Sequence, residues 1–284
     1  MSESLRVLPR QQLPGREASM HPRPVHEDPR YRGSAKLAGK VAIITGADSG
    51  IGKAVAIAFA KEGARCVLSY LDEHEDARDA LEQVRRHGGD GLLVPGDLRS
   101  RAHCEQVVEQ ALRRYGALDI LVNHAGEQYQ TDTLEDVDDV ALHHLFETNV
   151  YSMFYLSRAA VRHMKPGAAL VNTVSVVAYK GQPQLLDYSA SKGANLAFTR
   201  ALAASLADKG IRVNAVAPGP VWTPLIPATL HGTRLETFGR DVPMGRAAQP
   251  HELAPAYVYL ASDIDSAYVT GQVLHVNGGI PVNG

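Results

Sequence analysis

A phenol and an ammonium stand four residues apart in Tyr188-Ser189-Ala190-Ser191-Lys192, and on a helix positions i and i+4 are neighbours. Tyrosine ordinarily titrates near ~10 and is a poor acid–base catalyst at neutral pH. A fixed cation beside it is the simplest way to make it useful. Lowering its pKa by about 3 units takes roughly 4 kcal/mol, the energy of one unit charge at ~4 Å in an effective dielectric of about 20. The pair therefore points to proton transfer. Alone, it is equally compatible with a half-buried ring beside a snorkelling lysine on a solvated helix, so its meaning depends on the rest of the chain.

A second constellation lies near the start. Thr45-Gly46-Ala47-Asp48-Ser49-Gly50-Ile51-Gly52 follows the apolar run Val41-Ala42-Ile43-Ile44 and precedes the helix-compatible stretch Lys53 to Ala60. Strand, glycine turn and helix in that order form an anion site. The glycines allow a tight turn, close approach of backbone to a pyrophosphate and close helix–sheet packing, while free N–H groups at the helix start attract the phosphate. In that context the pattern reads as a dinucleotide site rather than an ordinary glycine-rich turn.

These groups need a scaffold to carry them. Strand-like runs at residues 65–70, 91–95, 118–122, 169–174, 212–217 and 272–276 alternate with helical stretches, which predicts a single α/β domain built on a doubly wound, Rossmann-type parallel sheet with helices on both faces. The Val/Ile/Leu content of the runs suits strands buried on both sides. A long helical segment is expected over about 137–164. Residues 1–36 differ: Pro9, Pro14, Pro22, Pro24 and Pro29 recur without apolar periodicity. Such an arm cannot build its own core, so it is either disordered or laid as extended chain across a folded surface, with Leu5, Val7, Leu8, Leu13, Met20 and Tyr31 as possible anchors.

Taken with Asn123-His124-Ala125-Gly126, Asn149, Ser175 and Pro218-Gly219, the two constellations make the chain resemble the short-chain dehydrogenase/reductase family over about residues 37–284. The serine thirteen positions before Tyr188 fits the family's spacing. Within it the chain resembles bacterial members with an N-terminal extension, some described as stress-associated or as aldehyde reductases. The resemblance implies an NAD(P)-dependent oxidoreductase that interconverts a carbonyl and an alcohol by hydride transfer. Tyr188 would be the general acid/base, Ser175 would hydrogen-bond the substrate oxygen, and Lys192 would hold the nicotinamide ribose. Asn149 would bend its helix and hold a water that links Lys192 to solvent. The implied cofactor wall comprises Thr45, Gly46, Asp48, Ser49, Gly50, Ile51 and Gly52 at the turn, then Asp97 and Leu98 at the adenine. It continues through Asn123, Ala125 and Gly126, Tyr188 and Lys192, Pro218 and Gly219, to Val221 and Thr223. His124, where relatives commonly carry asparagine, is expected to be hydrogen-bonded and not catalytic. A substrate lid is expected over about 221–246, with an apolar wall from Leu225, Ile226, Leu230, Leu235 and Phe238, and with Tyr179, Gln182 and Leu186 opposite.

NAD(H) is favoured over NADP(H), because Asp48, Ser49, Leu71 and Asp72 put no basic side chain where a 2′-phosphate would lie. Relatives are commonly tetramers, so a homotetramer is expected, with the segment 268–279 at a subunit contact and the arm on a neighbouring subunit. A net charge of −2 favours neither nucleic acid nor an anionic membrane as partner. Cys66 and Cys104 suit a reducing cytoplasm and resemble no disulfide framework, the histidines show no metal spacing, and no apolar stretch is long enough to cross a bilayer. A small carbonyl or alcohol is the expected partner. The competing reading is a catalytically silent dinucleotide sensor or scaffold; an epimerase or dehydratase would usually bring a longer substrate domain.

Overall fold

The computed structural model describes residues 11–230 and 232–282, so the expected arm anchors Leu5, Val7 and Leu8 lie outside the described residues. Seven apolar runs become seven parallel strands: β1 (Val41–Thr45), β2 (Arg65–Tyr70), β3 (Gly91–Pro95), β4 (Ile120–Asn123), β5 (Ala169–Thr173), β6 (Arg212–Pro218) and β7 (Val273–Val276). They form one sheet in the order β3-β2-β1-β4-β5-β6-β7. Every residue of β1, β4, β5 and β6 is buried, as expected of strands covered on both faces. The expected start of β4 at Leu118 moves to Ile120, because Asp119 is engaged at the sheet entrance, where its carboxylate accepts the Val41 N–H at 2.8 Å.

The helices follow in chain order: α1 (Gly50–Lys61), α2 (His74–Arg86), α3 (Arg101–Tyr115), α4 (Asp139–Phe146), α5 (Ser152–Ala160), α6 (Val177–Lys180), α7 (Leu186–Leu206), α8 (Leu225–Thr229), α9 (Thr233–Glu236), α10 (Ala254–Ala261) and α11 (Asp263–Ser266). One face of the sheet is covered by α1, α2 and α10, through Ala54, Val55, Phe59, Val84 and Tyr257. The other is covered by α3, α5 and α7, through Cys104, Val107, Leu156, Ala203 and Leu206. The α3 boundaries show the local chemistry: Ser100 accepts the His103 N–H at 3.3 Å, and Gly116, at φ 74°, closes the far end with an N–H donated to Leu112. Among the described residues no helix is long and apolar enough to cross a membrane.

Two expectations change in detail. The long helix over 137–164 is helical from Asp139 to Ala160 but is interrupted by a π-helical turn at Glu147–Tyr151. The segment 221–246, expected only as a lid, carries the short helices α8 and α9. The described part of the arm is ordered as extended chain with one 3₁₀ turn at Glu17–Ser19, laid across its own chain. Strand order reverses between β1 and β4, and a doubly wound sheet opens a crevice at that point beyond the strands' carboxyl ends.

Candidate active site

The crevice is a cleft of about 1100 Å³, and the predicted proton-transfer residues meet at its floor. β5 ends at Thr173, which puts Ser175 on the wall two residues later. Tyr188 and Lys192 project from the first turns of α7, and the Tyr188 hydroxyl meets the Ser175 hydroxyl. The Lys192 ammonium lies 5.5 Å from the centroid of the Tyr188 ring and donates to the Thr173 carbonyl at 3.0 Å. Asn149 sits in the π-turn. Its amide oxygen accepts the Glu127 N–H at 2.8 Å, and its nitrogen donates to the Glu127 carbonyl at 2.9 Å and to Ser191 at 3.1 Å. The backbone carbonyl of Asn149 accepts Asn195 Nδ2 at 2.9 Å. A π-turn sets a carbonyl off its normal helical partner, and here a side chain from α7 meets it, tying the two helices together beside Lys192.

Burial dominates the titration of this floor. It pushes the Tyr188 phenol up to about 12, against a smaller opposing effect of the Ser175 hydrogen bond, and it pushes the Lys192 ammonium down to about 8. The lowering expected of a cation beside the phenol is not what dominates here: burial does. His124 is held neutral, pushed down to about 3 by burial and then by the charge of Lys192. Its Nδ1 lies 3.1 Å from the Thr173 hydroxyl, which in turn meets the Tyr257 hydroxyl at 2.8 Å. The hydrogen bond is the one expected of this histidine from the sequence.

The glycine turn is shaped to receive a diphosphate. Gly46 and Gly50 have φ of 62° and 51°, a region that L side chains rarely adopt. A Cβ on Gly52 would stand 1.9 Å from the Gly46 carbonyl oxygen, so the turn closes only without one. Gly126 is close to its neighbours but less tight, a Cβ there falling 3.1 Å from the Asn149 amide oxygen and 3.4 Å from the Lys192 nitrogen. Gly46, Asp48, Ser49, Gly50 and Ile51 line one end of the cleft, followed by Asp97, Leu98, Ala125 and Gly126. Pro218, Gly219, Val221 and Thr223 close the wall past Ser175, Tyr188 and Lys192. Residues and cradle thus fit a nicotinamide dinucleotide.

Four predicted residues stand behind the wall. The Thr45 hydroxyl accepts the N–H groups of His124 and Ala125, both at 2.9 Å, and so fixes the loop that faces the turn. Gly52 closes the turn from within, and Asn149 organises the loop at Glu127. Asn123 is turned under the floor, where its amide nitrogen donates to Asn172 at 2.9 Å and to Ser157 at 3.3 Å. On the far side Ile226, Leu230 and Phe238 line the cleft, whereas Leu235 is directed into a small core with Trp222. Gln182 faces them. Tyr179 instead packs edge-on against His275 at 4.7 Å, and Leu186 stays at the surface.

Other lining residues were not foreseen. Gln128, Gln130 and Gln184 join Gln182 in an amide-rich wall, and Leu13, Pro14 and Gly15 reach in from the arm. Glutamines in irregular loops carry no periodic signal, and the arm is brought there by contacts from some thirty to two hundred residues apart in sequence.

Comparison with known proteins agrees with this geometry. A family model described as enoyl-(acyl carrier protein) reductase matches residues 46–281. A glucose and ribitol dehydrogenase of Daucus carota is 49% identical, the match covering 95% of this chain and 95% of that protein. A chloroplastic NADPH-dependent aldehyde reductase of Arabidopsis thaliana is also 49% identical, with 95% and 96% covered. Among solved structures, a 3-ketoacyl-(acyl-carrier-protein) reductase from Brucella melitensis complexed with NADH superimposes with a TM-score of 0.77 at 35% identity, over 86% of this chain and 98% of that one.

Proposed function

The chain belongs to the short-chain dehydrogenase/reductase family and is an NAD(P)-dependent oxidoreductase, and from that premise we propose that it interconverts a carbonyl and an alcohol with Tyr188 as the proton carrier. The observation that carries the assignment is the meeting of Ser175, Tyr188 and Lys192 at one floor, with Asn149 directly behind it. The nicotinamide ring supplies or accepts the hydride when the dinucleotide is bound. In the reducing direction the Tyr188 hydroxyl gives its proton to the carbonyl oxygen while Ser175 hydrogen-bonds that oxygen, an interaction that strengthens as the oxygen gains negative charge. Lys192 holds the ribose and supplies a positive charge beside the phenol. With the phenol raised to about 12 by burial, that charge is needed to make the proton mobile in both directions.

Residues 37–284 make up the catalytic domain in this reading, and about 221–246 its lid. A wall that is part apolar, from Ile226, Leu230 and Phe238, and part amide, from the four glutamines, suits a small carbonyl compound that carries hydroxyl groups. NAD(H) is the favoured cofactor. Asp48 and Glu73 line the adenosine end of the cleft, while Lys53 is drawn away from it by Glu17 and Asp79. A nearby carboxylate could cost a 2′-phosphate roughly 1–3 kcal/mol at an effective dielectric of about 40. The NADPH-dependent relative weighs the other way, so the preference is a measurable point. The active form is a cytoplasmic homotetramer.

The test is a panel of aldehydes and aldoses offered with NADH and with NADPH while the absorbance of the reduced nicotinamide is followed. Turnover of at least one carbonyl is expected. Binding of both nucleotides without turnover of any member would favour a silent sensor.

A further inference from the structure

The arm is tied to two parts of the site at once. Glu17 is buried, and one of its carboxylate oxygens accepts the N–H of Gly50, the first residue of α1, at 2.7 Å. The other oxygen takes the Lys53 ammonium at 2.7 Å, and His26 closes on the pair at 2.5 Å. Ser49, the residue at the N-cap of α1, makes no side-chain cap of its own, so the remote Glu17 carboxylate supplies the negative group that a helix start favours. Three residues on, Met20 is 3% exposed and packs in a core with Trp222, Ile226, Leu230 and Leu235, all within the 221–246 segment. The Trp222 indole N–H donates to the Pro22 carbonyl at 2.8 Å, and Gly15 runs so close to Pro224 that a Cβ would stand 2.4 Å from its carbonyl oxygen. Beyond these contacts, Val25 is pinned by Gln249 at 2.9 Å.

We propose that residues 13–24 are a strap that holds the lid over the substrate end of the cleft of its own chain, with Met20 as the positioning residue. α8 and α9 are five and four residues long, far too short to be stable alone. Much of the apolar surface they bury is shared with Met20 and Trp222, and Ile226 and Leu230 present other atoms to the cleft. Removing the thioether leaves a void on the outer side of the lid, and the lid relaxes into it, away from the floor. The glycine turn, held by its own backbone geometry, keeps its shape. Loss of Met20 thus weakens the grip on the carbonyl compound and leaves the dinucleotide in place.

Trp222 is the single tryptophan of the chain, so its emission reports the strap directly. In the full-length protein, Met20→Ala should shift that emission to the red and at least double its quenching by acrylamide. Amide exchange over 225–238 should become at least tenfold faster while exchange in the strands stays unchanged, and Met20→Leu should restore both. With the aldehyde best used in the panel, KM should rise at least fivefold, with the NADH dissociation constant within twofold of the original. A chain beginning at residue 25 should match Met20→Ala in its emission and quenching. Wild-type emission and lid exchange in Met20→Ala would overturn the proposal, as would equal acceleration of exchange in lid and strands. The KM arm rests on the oxidoreductase reading, but emission and exchange do not. A panel with no turnover would defeat that reading and leave the strap to be decided by those two measurements.

Discussion

Tyr188 and Lys192 share one turn of α7, and burial acts on them in opposite senses, making the phenol harder and the ammonium easier to deprotonate. Tyr188→Phe should lower kcat at least about 10²-fold while NADH binding, followed by its fluorescence, stays near the wild-type value; most activity surviving at saturating cofactor would remove the tyrosine from the mechanism. Asp48 offers a second handle. Burial first, and the charge of Glu73 second, push its carboxyl up to about 7. Below that pH it is neutral and tolerates a neighbouring phosphate; above it the anion repels one. NADPH affinity relative to NADH should therefore improve as pH falls through about 7. Asp48→Asn should flatten that trend and raise NADPH affinity at pH 8 by roughly fivefold, about 1 kcal/mol. The 2′-phosphate titrates nearby, so the comparison of the two proteins, not the slope of either alone, is decisive. An Asn variant that tracks the wild type across the range would take Asp48 out of cofactor choice.

At the level of elements, the turn between β1 and α1 leaves little room for change. Gly52 sits over the Gly46 carbonyl with no room for a methyl group, so Gly52→Ala must open the turn or shift α1, which costs about 3 kcal/mol as an overpacking defect. Calorimetry should show a lower Tm, and NADH titration a loss of affinity of at least tenfold; an unchanged dissociation constant would mean the turn deforms without consequence. The turn, strands and helices of this half were legible because each needs only local rules: a glycine where φ is positive, an apolar run where both faces are covered. The π-turn at Asn149 was not legible as such, since one extra residue in a helical ladder leaves no mark on apolar periodicity. Its position came from the resemblance alone.

For the whole molecule, the homotetramer is open to light scattering, which should report four chains of 30.6 kDa each. Deleting residues 1–24 should lower Tm, because the Glu17, Met20 and Pro22 contacts go with them and leave Lys53 with Asp79 as its remaining carboxylate partner among the described residues. Loss of a buried ionic partner and a core side chain amounts to about 3 kcal/mol or more, several degrees for a chain of this size. If the arm also bridges subunits, the scattering mass of the shortened chain should fall on dilution. An unchanged mass with a lowered Tm would confine the arm to its own protomer.

The sequence by itself determined the strands, the glycine cradle and the Tyr188 and Lys192 pair, because these rest on local geometry: an apolar run where both faces are covered, i to i+4 on a helix, a positive φ at a glycine; Ser175 came with the family's spacing. Tertiary structure alone decided what lies behind and above them. Asn123 turned under the floor because Asn172 and Ser157 happen to offer partners there, and Tyr179 went to His275 instead of the cleft. The direction of the Tyr188 shift depended on how completely the floor is shut from water, a property of packing and not of spacing. The arm is the clearest case. Its composition allowed either a solvated tail or a docked segment, and what separates them is a carboxylate at residue 17 meeting a helix start at residue 50, and a carbonyl at residue 22 meeting an indole at residue 222, contacts that no local pattern encodes.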